Sequence, residues 1–164
     1  MEIIEKAPAK INLGLDIAGK YQDGFHELSM IMASVDLNDY LTITEIAEDK
    51  IVVESNNCKL PLNRKNDVYK AAHLLKRRYH ISTGLKISLQ KKIPICAGLG
   101  GGSSDAAATL RALNCLWKLN LSPKELIDVG FEIGSDVPYC IEAGCALISG
   151  KGEIVEPLAT TLST

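Results

Sequence analysis

The order of patterns along the chain predicts an α+β fold. Alternating hydrophobic runs fill the first third, helical periodicities dominate the middle, and short apolar runs return near the end. Strands and helices segregated in this way, with few β-α-β alternations, argue against a doubly wound parallel sheet. The chain has 164 residues, the size of one ordinary domain. Hydrophobic residues make up 46% and charged residues 23%, which supplies one core and excludes a disordered chain.

Each element has its own signal. In Lys10 to Ile17, Ile11, Leu13, Leu15 and Ile17 alternate on one face of a half-buried strand. Gly19 to Gly24 reads as a turn. Leu28 to Leu37 is a long strand with a break near Ala33 and Ser34, and Tyr40–Ile46 and Lys50–Ser55 follow as strands. Asn56 to Lys65 is a polar loop. A helix begins near Asn66 or Asp67, either of which can accept first-turn amide protons. Val68, Ala71, Ala72 and Leu75 give it one apolar stripe. Leu85 to Gln90 alternates as a strand. A second helix is expected from about Ser103, with Ala106, Leu110, Leu113 and Trp117 facing the core. A third starts at a capping box, with Ser122 as N-cap, Pro123 at the first position and Glu125 at the third, and ends at Gly134. Val137–Ile141 and Cys145–Ser149 are expected as closing strands.

Composition excludes several classes. Lys and Arg total 18 against 20 Asp and Glu, a formal charge of −2. A pI near 5.9 argues against a general nucleic-acid binder. No stretch approaches the ~20 apolar residues of a membrane span. MEIIEKAPAKINLGLDI lacks the charged leader and apolar core of a signal peptide, so a cytoplasmic location is expected. The five cysteines, at 58, 96, 115, 140 and 145, form no C-x-x-C pair, which suggests neither a zinc site nor a disulfide framework.

The strongest chemical signal is PICAGLGGGSSDAAA, Pro94 to Ala108. Gly98, Gly100, Gly101 and Gly102 stand directly before a helix. Such a run forgoes packing and raises the entropy of the unfolded chain, a cost usually offset by close backbone approach to a ligand. A helix N-terminus carries free amides and partial positive charge, so the ligand should be an anion such as phosphate. Ser103 and Ser104 add hydroxyls for phosphate or a bound Mg²⁺. No Lys-Ser/Thr follows the last glycine, so this is not a Walker A loop, and the dinucleotide pattern fails at its third glycine. Three weaker signals accompany it. Asp136 lies in GSDVPYC, Lys10 in AKINLGLDI, and Phe25 and His26 in DGFHEL. Taken singly, each has an ordinary reading as a turn aspartate, a solvated edge lysine or a partly buried histidine.

Together, AKINLGLDI, DGFHEL, NDVYKAA, the glycine-rich segment and GSDVPYCIEAGCALISGKGE occur in the order and spacing of one superfamily. The chain resembles the galactokinase, homoserine kinase, mevalonate kinase and phosphomevalonate kinase superfamily, and within it the family of 4-diphosphocytidyl-2-C-methyl-D-erythritol kinases, from about Ala7 to Pro157. The resemblance implies a ribosomal protein S5 domain 2-like sandwich, a mixed β-sheet with helices packed on it. It implies transfer of the γ-phosphoryl of ATP to the 2-hydroxyl of that cytidyl polyol, in non-mevalonate isoprenoid precursor biosynthesis. Lys10 and Asp136 would then be the catalytic pair, with Asp136 taking the hydroxyl proton. Asn66, Pro94, Gly98, Gly100, Gly101, Gly102, Ser103 and Ser104 would hold ATP. Asn12 would touch the methylerythritol, Phe25 would stack on cytosine and His26 would read its edge. Mg²⁺ is implied with ATP, but no direct protein ligand is assigned apart from Ser104 as a candidate.

The chain departs from the family pattern at Phe25, where Tyr is common, at Ala33, where Gln is common, and at Cys96. Family members continue into a second domain, so residues 1–164 are expected to be the N-terminal ATP- and substrate-binding domain, poorly active alone and prone to self-association. Neither nucleic acid nor membrane is expected as a partner. The competing readings are a sister alcohol kinase, against which DGFHEL argues, and a non-catalytic nucleotide- or RNA-binding module of the same fold.

Overall fold

A computed structural model describes residues 1–20 and 26–158 of the chain, with side chains described outside positions 14–29. One long antiparallel pair organises the sheet. β1 (Glu2–Lys20) runs beside β2 (His26–Ile46) for almost their full lengths. β2 is then shared along its other edge. Tyr40–Ile46 pairs with β4 (Gly84–Gln90), and Met30–Met32 pairs with β5 (Ala146–Ser149). β3 (Ile51–Ser55) lies parallel to β4, and β6 (Ile154–Pro157) closes against β5. The resulting sheet is mixed, and among the described residues four helices complete the fold: α1 (Asp67–Arg78), α2 (Gly101–Leu116), α3 (Pro123–Ile133) and α4 (Val137–Glu142).

α2 is the hub, packed against β1, β2, α1, α3 and α4. Its residues from Ser104 to Leu110 are buried without a gap, which ordinary helices with one apolar stripe do not do. Ala106, Ala107 and Ala108 make this possible, because small side chains let neighbours approach on every side. α1 buries Val68, Ala71, Ala72 and Leu75, the stripe expected from its spacing. α3 starts with the expected capping box: Ser122 Oγ accepts from the Glu125 amide, and the Glu125 carboxylate accepts from the Ser122 amide.

Three expectations are corrected. The break near Ala33 and Ser34 is a bulge within one strand, a register shift that leaves Asp36 and Leu37 unpaired between Val35 and Asn38. Met32 before it and Leu41 and Ile43 after it all join the core, so the alternation slips by one residue. Val137–Ile141 is helix, not strand. Its five apolar residues are buried in sequence against α2 and α3, and so short a run carries no period to distinguish the two. α2 begins two residues before Ser103, because Gly100 takes a left-handed conformation and serves as N-cap. Trp117, the C-cap of α2, is half-buried and packs against the core, which extends the expected stripe to the helix end. The predicted turn at 19–24 falls partly outside the described residues, and Gly19 and Lys20 lie within β1.

Candidate active site

The glycine-rich segment descends from the end of β4 and turns upward into α2. Cys96, Gly98 and Gly100 have φ of 60°, 75° and 67°, so the chain reverses through three left-handed residues. Glycine takes this conformation freely, whereas Cys96 takes it at a steric cost. Gly100 caps α2 without a side chain, and the first turn contains no acidic residue. The amides opening this helix lack intrahelical partners and face a positive helix end that no carboxylate in the turn offsets. Pro94, Gly98, Gly100, Gly101, Gly102 and Ser103 all line one cleft of about 290 Å³, together with Asp67 and Lys91.

Lys10 is joined to this loop twice. Its backbone amide donates to the Leu99 carbonyl at 2.9 Å. Its aliphatic stem lies across Gly100, where an added Cβ would sit 2.8 Å from Lys10 Cγ. The side chain is buried along its stem, and among the described residues it joins no ion pair. Lys10 is therefore not a solvated edge lysine but a cation delivered to the loop by β1.

Asp136 stands before α4, half-exposed, without a capping bond to that helix. It lines a smaller hollow of about 180 Å³ with Met30, Ser135 and the β5–β6 turn. The buried thiol of Cys140 links it electrostatically to Lys10. Burial pushes this thiol up to about 12; Asp136 adds to the rise, while Arg111 and Lys10 oppose it. Lys10 and Asp136, 126 positions apart in sequence, thus act in opposite senses on one buried thiol, while of the two only Asp136 lines the smaller hollow.

Two expected ligand side chains are occupied by the fold. Ser104 is fully buried, and its hydroxyl donates to the Pro8 carbonyl at 2.6 Å. It ties α2 to β1, so in this structure its hydroxyl is engaged within the fold. Asn66 is the N-cap of α1: Oδ1 accepts from the Val68 amide at 2.8 Å and Nδ2 donates to the Pro61 carbonyl at 2.8 Å. Its neighbour Asp67 is the residue that faces the loop, since a Cβ at Gly102 would meet only Asp67 Oδ2, at 3.5 Å. Asn12 lies two residues beyond Lys10 on β1 and is exposed, outside both hollows. Phe25 and the side chain of His26 lie outside the described residues; the His26 backbone opens β2 opposite Lys20.

Sequence reasoning missed a buried charge cluster beneath the loop. Lys91 Nζ lies 2.5 Å from Asp39 Oδ2 and 2.9 Å from Asp105 Oδ2. Asp39 Oδ1 accepts from the amides of Lys92 and Ile93, at 2.6 and 2.8 Å. Burial works against the charge on Asp39, but the neighbouring Asp105 and hydrogen bonds from Ile93, Lys91 and Lys92 hold its carboxyl below the usual range. Asp105 goes the other way: burial, reinforced by Asp39, keeps its proton on well above that range. The available signal was a carboxylate on an otherwise apolar helix, at Asp105. Asp39 and Lys91 look like surface charges in the sequence.

Residues 66–144 match the model of the GHMP kinases N terminal domain. A relative from Streptococcus equi subsp. zooepidemicus is 62% identical over 162 residues, covering 99% of this chain and 57% of the relative. A relative from Enterococcus faecalis, named 4-diphosphocytidyl-2-C-methyl-D-erythritol kinase, is 55% identical over 98% of this chain and 56% of its own length. This chain thus spans somewhat over half the length of the curated relatives it matches. A crystal structure of 4-(cytidine 5'-diphospho)-2C-methyl-D-erythritol kinase superposes with a TM-score of 0.79 at 37% identity, over 98% of this chain and 56% of that one. The mevalonate kinase of Methanococcus jannaschii, at 21% identity and a TM-score of 0.73 over 98% of this chain and 56% of its own, shares the fold.

Proposed function

We propose that this chain, whose residues 66–144 match the GHMP kinases N terminal domain, forms the ATP- and substrate-binding part of a small-molecule kinase. The proposed reaction transfers the γ-phosphoryl of ATP to the 2-hydroxyl of 4-diphosphocytidyl-2-C-methyl-D-erythritol. The observation that carries this reading is the seat of Lys10: its stem crosses Gly100 and its amide bonds Leu99, which brings a lysine to the start of α2. The acceptor and the cytidyl group rest on the names of the relatives, and on Phe25, His26 and Asn12 as the residues that would receive them.

The chemistry follows from charge and position. Phosphates lying in the loop cleft would accept hydrogen bonds from the first amides of α2. Magnesium carried by a triphosphate supplies charge screening and keeps most of its water, taking one or two carboxylates from a protein. The residues present fit that demand. Asp67 faces the loop and is one carboxylate that would meet it. Asp136 would take the proton of the acceptor hydroxyl, and Lys10 would orient that oxygen and offset the charge growing on it. Phosphoryl transfer draws most of its acceleration from such positioning and charge compensation.

The test pairs binding with turnover. Isothermal calorimetry with a nonhydrolysable ATP analogue should show binding to the chain. Asp136→Asn should keep that affinity while phosphoryl transfer to the cytidyl polyol falls about 10²- to 10⁴-fold, the usual worth of a general base. Unchanged transfer in the folded variant would remove Asp136 from the mechanism.

A further inference from the structure

We propose that Lys91 is a positioning residue for the glycine-rich loop: clamped between Asp39 on β2 and Asp105 on α2, it fixes where the first turn of α2 begins and hence where its amides point. The inference rests on the reading of that loop as a phosphate site.

The geometry is that of a clamp. Lys91 follows β4 directly, and its side chain is 3% exposed. One carboxylate it meets belongs to the sheet, and Asp39 is itself held by two backbone amides, of Lys92 and Ile93. The other belongs to α2, one turn after the helix begins. The first residue of α2 rests on this cluster. A Cβ at Gly101 would lie 3.0 Å from Lys91 Nζ and 3.0 Å from Ile93 Cγ2. Gly101 therefore lacks a side chain for an interior reason, and its backbone is free to line the cleft on the other side. Lys91 lines the same cleft from below.

Stability alone does not account for this arrangement. Three ionisable groups buried together cost desolvation that an apolar trio of similar volume would avoid. Asp105 Oδ1, buried, has no hydrogen-bond partner among the described residues, so the cluster is not even internally complete. What hydrogen bonds supply and apolar packing does not is direction. A phosphate loop needs its donors aimed within a few tenths of an ångström, and a buried, charge-assisted clamp behind the first turn meets that need.

The experiment compares the wild-type chain with Lys91→Met, Asp39→Asn and their double variant, by calorimetry with a nonhydrolysable ATP analogue and with AMP. Near-ultraviolet circular dichroism confirms folding. If the wild type binds neither nucleotide, the loop reading itself falls, and this inference with it. If it binds, Lys91→Met is expected to weaken the ATP analogue at least tenfold and AMP less than threefold, because only the longer phosphate chain reaches the first turn. The double variant should be no worse than the weaker single, since both act through one clamp. Equal losses for the two nucleotides, or no loss in folded Lys91→Met, would overturn the proposal. A second measurement avoids the variants altogether. In the ¹⁵N-labelled wild type, the buried Lys91 ammonium signal should move on titration with the ATP analogue and stay in place with AMP. An unmoved signal at saturation would also overturn it.

Discussion

Asp105 holds a proton that an exposed aspartate would release. Burial is the main cause, with Asp39 adding to it and Lys91 opposing. The sign of its effect on stability follows directly. The folded chain binds this proton above the ordinary value of 3.8, where the unfolded chain does not, so the group lowers stability as pH rises beyond that value. Asp39 acts in reverse: its lowered pKa adds stability above the ordinary value, and that stability is lost as pH falls. Asp105→Asn removes the first effect and keeps an oxygen for Lys91. The variant's melting temperature relative to wild type should therefore rise as pH increases from the ordinary aspartate value of 3.8 towards neutrality. A difference that shrinks over that interval would mean Asp105 is ionised in the folded chain. Residue-level legibility divides along the same line. Lys10 and Asp136 stand in motifs, which is why the sequence singles them out. Asp39 and Lys91 carry no local pattern, because their partners lie 52 residues apart in sequence. Ser104 and Asn66 were named for their chemistry, but the fold uses that chemistry first, for a strand tie and a helix cap.

The glycine-rich loop is an element in which neighbouring positions have different constraints. A Cβ at Gly98 would meet nothing within 4 Å, so Gly98→Ala bears only the strain of a left-handed alanine, about 1–2 kcal/mol. Gly100→Ala bears a similar strain and also displaces Lys10, whose Cγ would lie 2.8 Å away. Urea unfolding should show the second substitution as the costlier, by at least about 1 kcal/mol, the usual minimum for overpacking. It should also be the one that lowers phosphoryl transfer. Equal effects would mean that the stem of Lys10 can move aside freely. Elements were legible where length gave periodicity room. The stripe of α1 and the capping box of α3 could be read off directly. α4 has only six residues, too few for a period, and its apolar run read as a strand. β6 is mostly exposed and showed no alternation at all.

At the scale of the whole molecule, Arg111 joins the two segments that carry the proposed catalytic pair. From α2, its Nε pairs with Glu5 at 3.0 Å and its Nη2 donates to the Lys6 carbonyl at 2.9 Å, both on β1. Its Nη1 donates to the carbonyls of Cys140 and Ile141, at 2.7 and 3.0 Å, in the last turn of α4. One guanidinium thus spans the strand of Lys10 and the helix that follows Asp136. Arg111→Met should lower unfolding free energy by about 2–3 kcal/mol, the scale of lost charged hydrogen bonds. It should also reduce kcat for phosphoryl transfer by more than tenfold, while leaving affinity for the ATP analogue within threefold. A loss confined to stability would show that Lys10 and Asp136 find each other without this link.

The seat of Lys10 also has a history in time. β1 can pair with β2 as soon as both have been synthesised, yet the Lys10 amide waits for Leu99 and the Pro8 carbonyl waits for Ser104, 96 residues later. During translation the hairpin can form with this lysine still unplaced, until the polypeptide has grown past the glycine-rich segment and that segment has emerged from the ribosome. Contacts of such separation fold slowly, because loop closure must come before they contribute. The proposed phosphate site is therefore among the last parts of the domain to mature, and its first residue to be made is among the last to be placed.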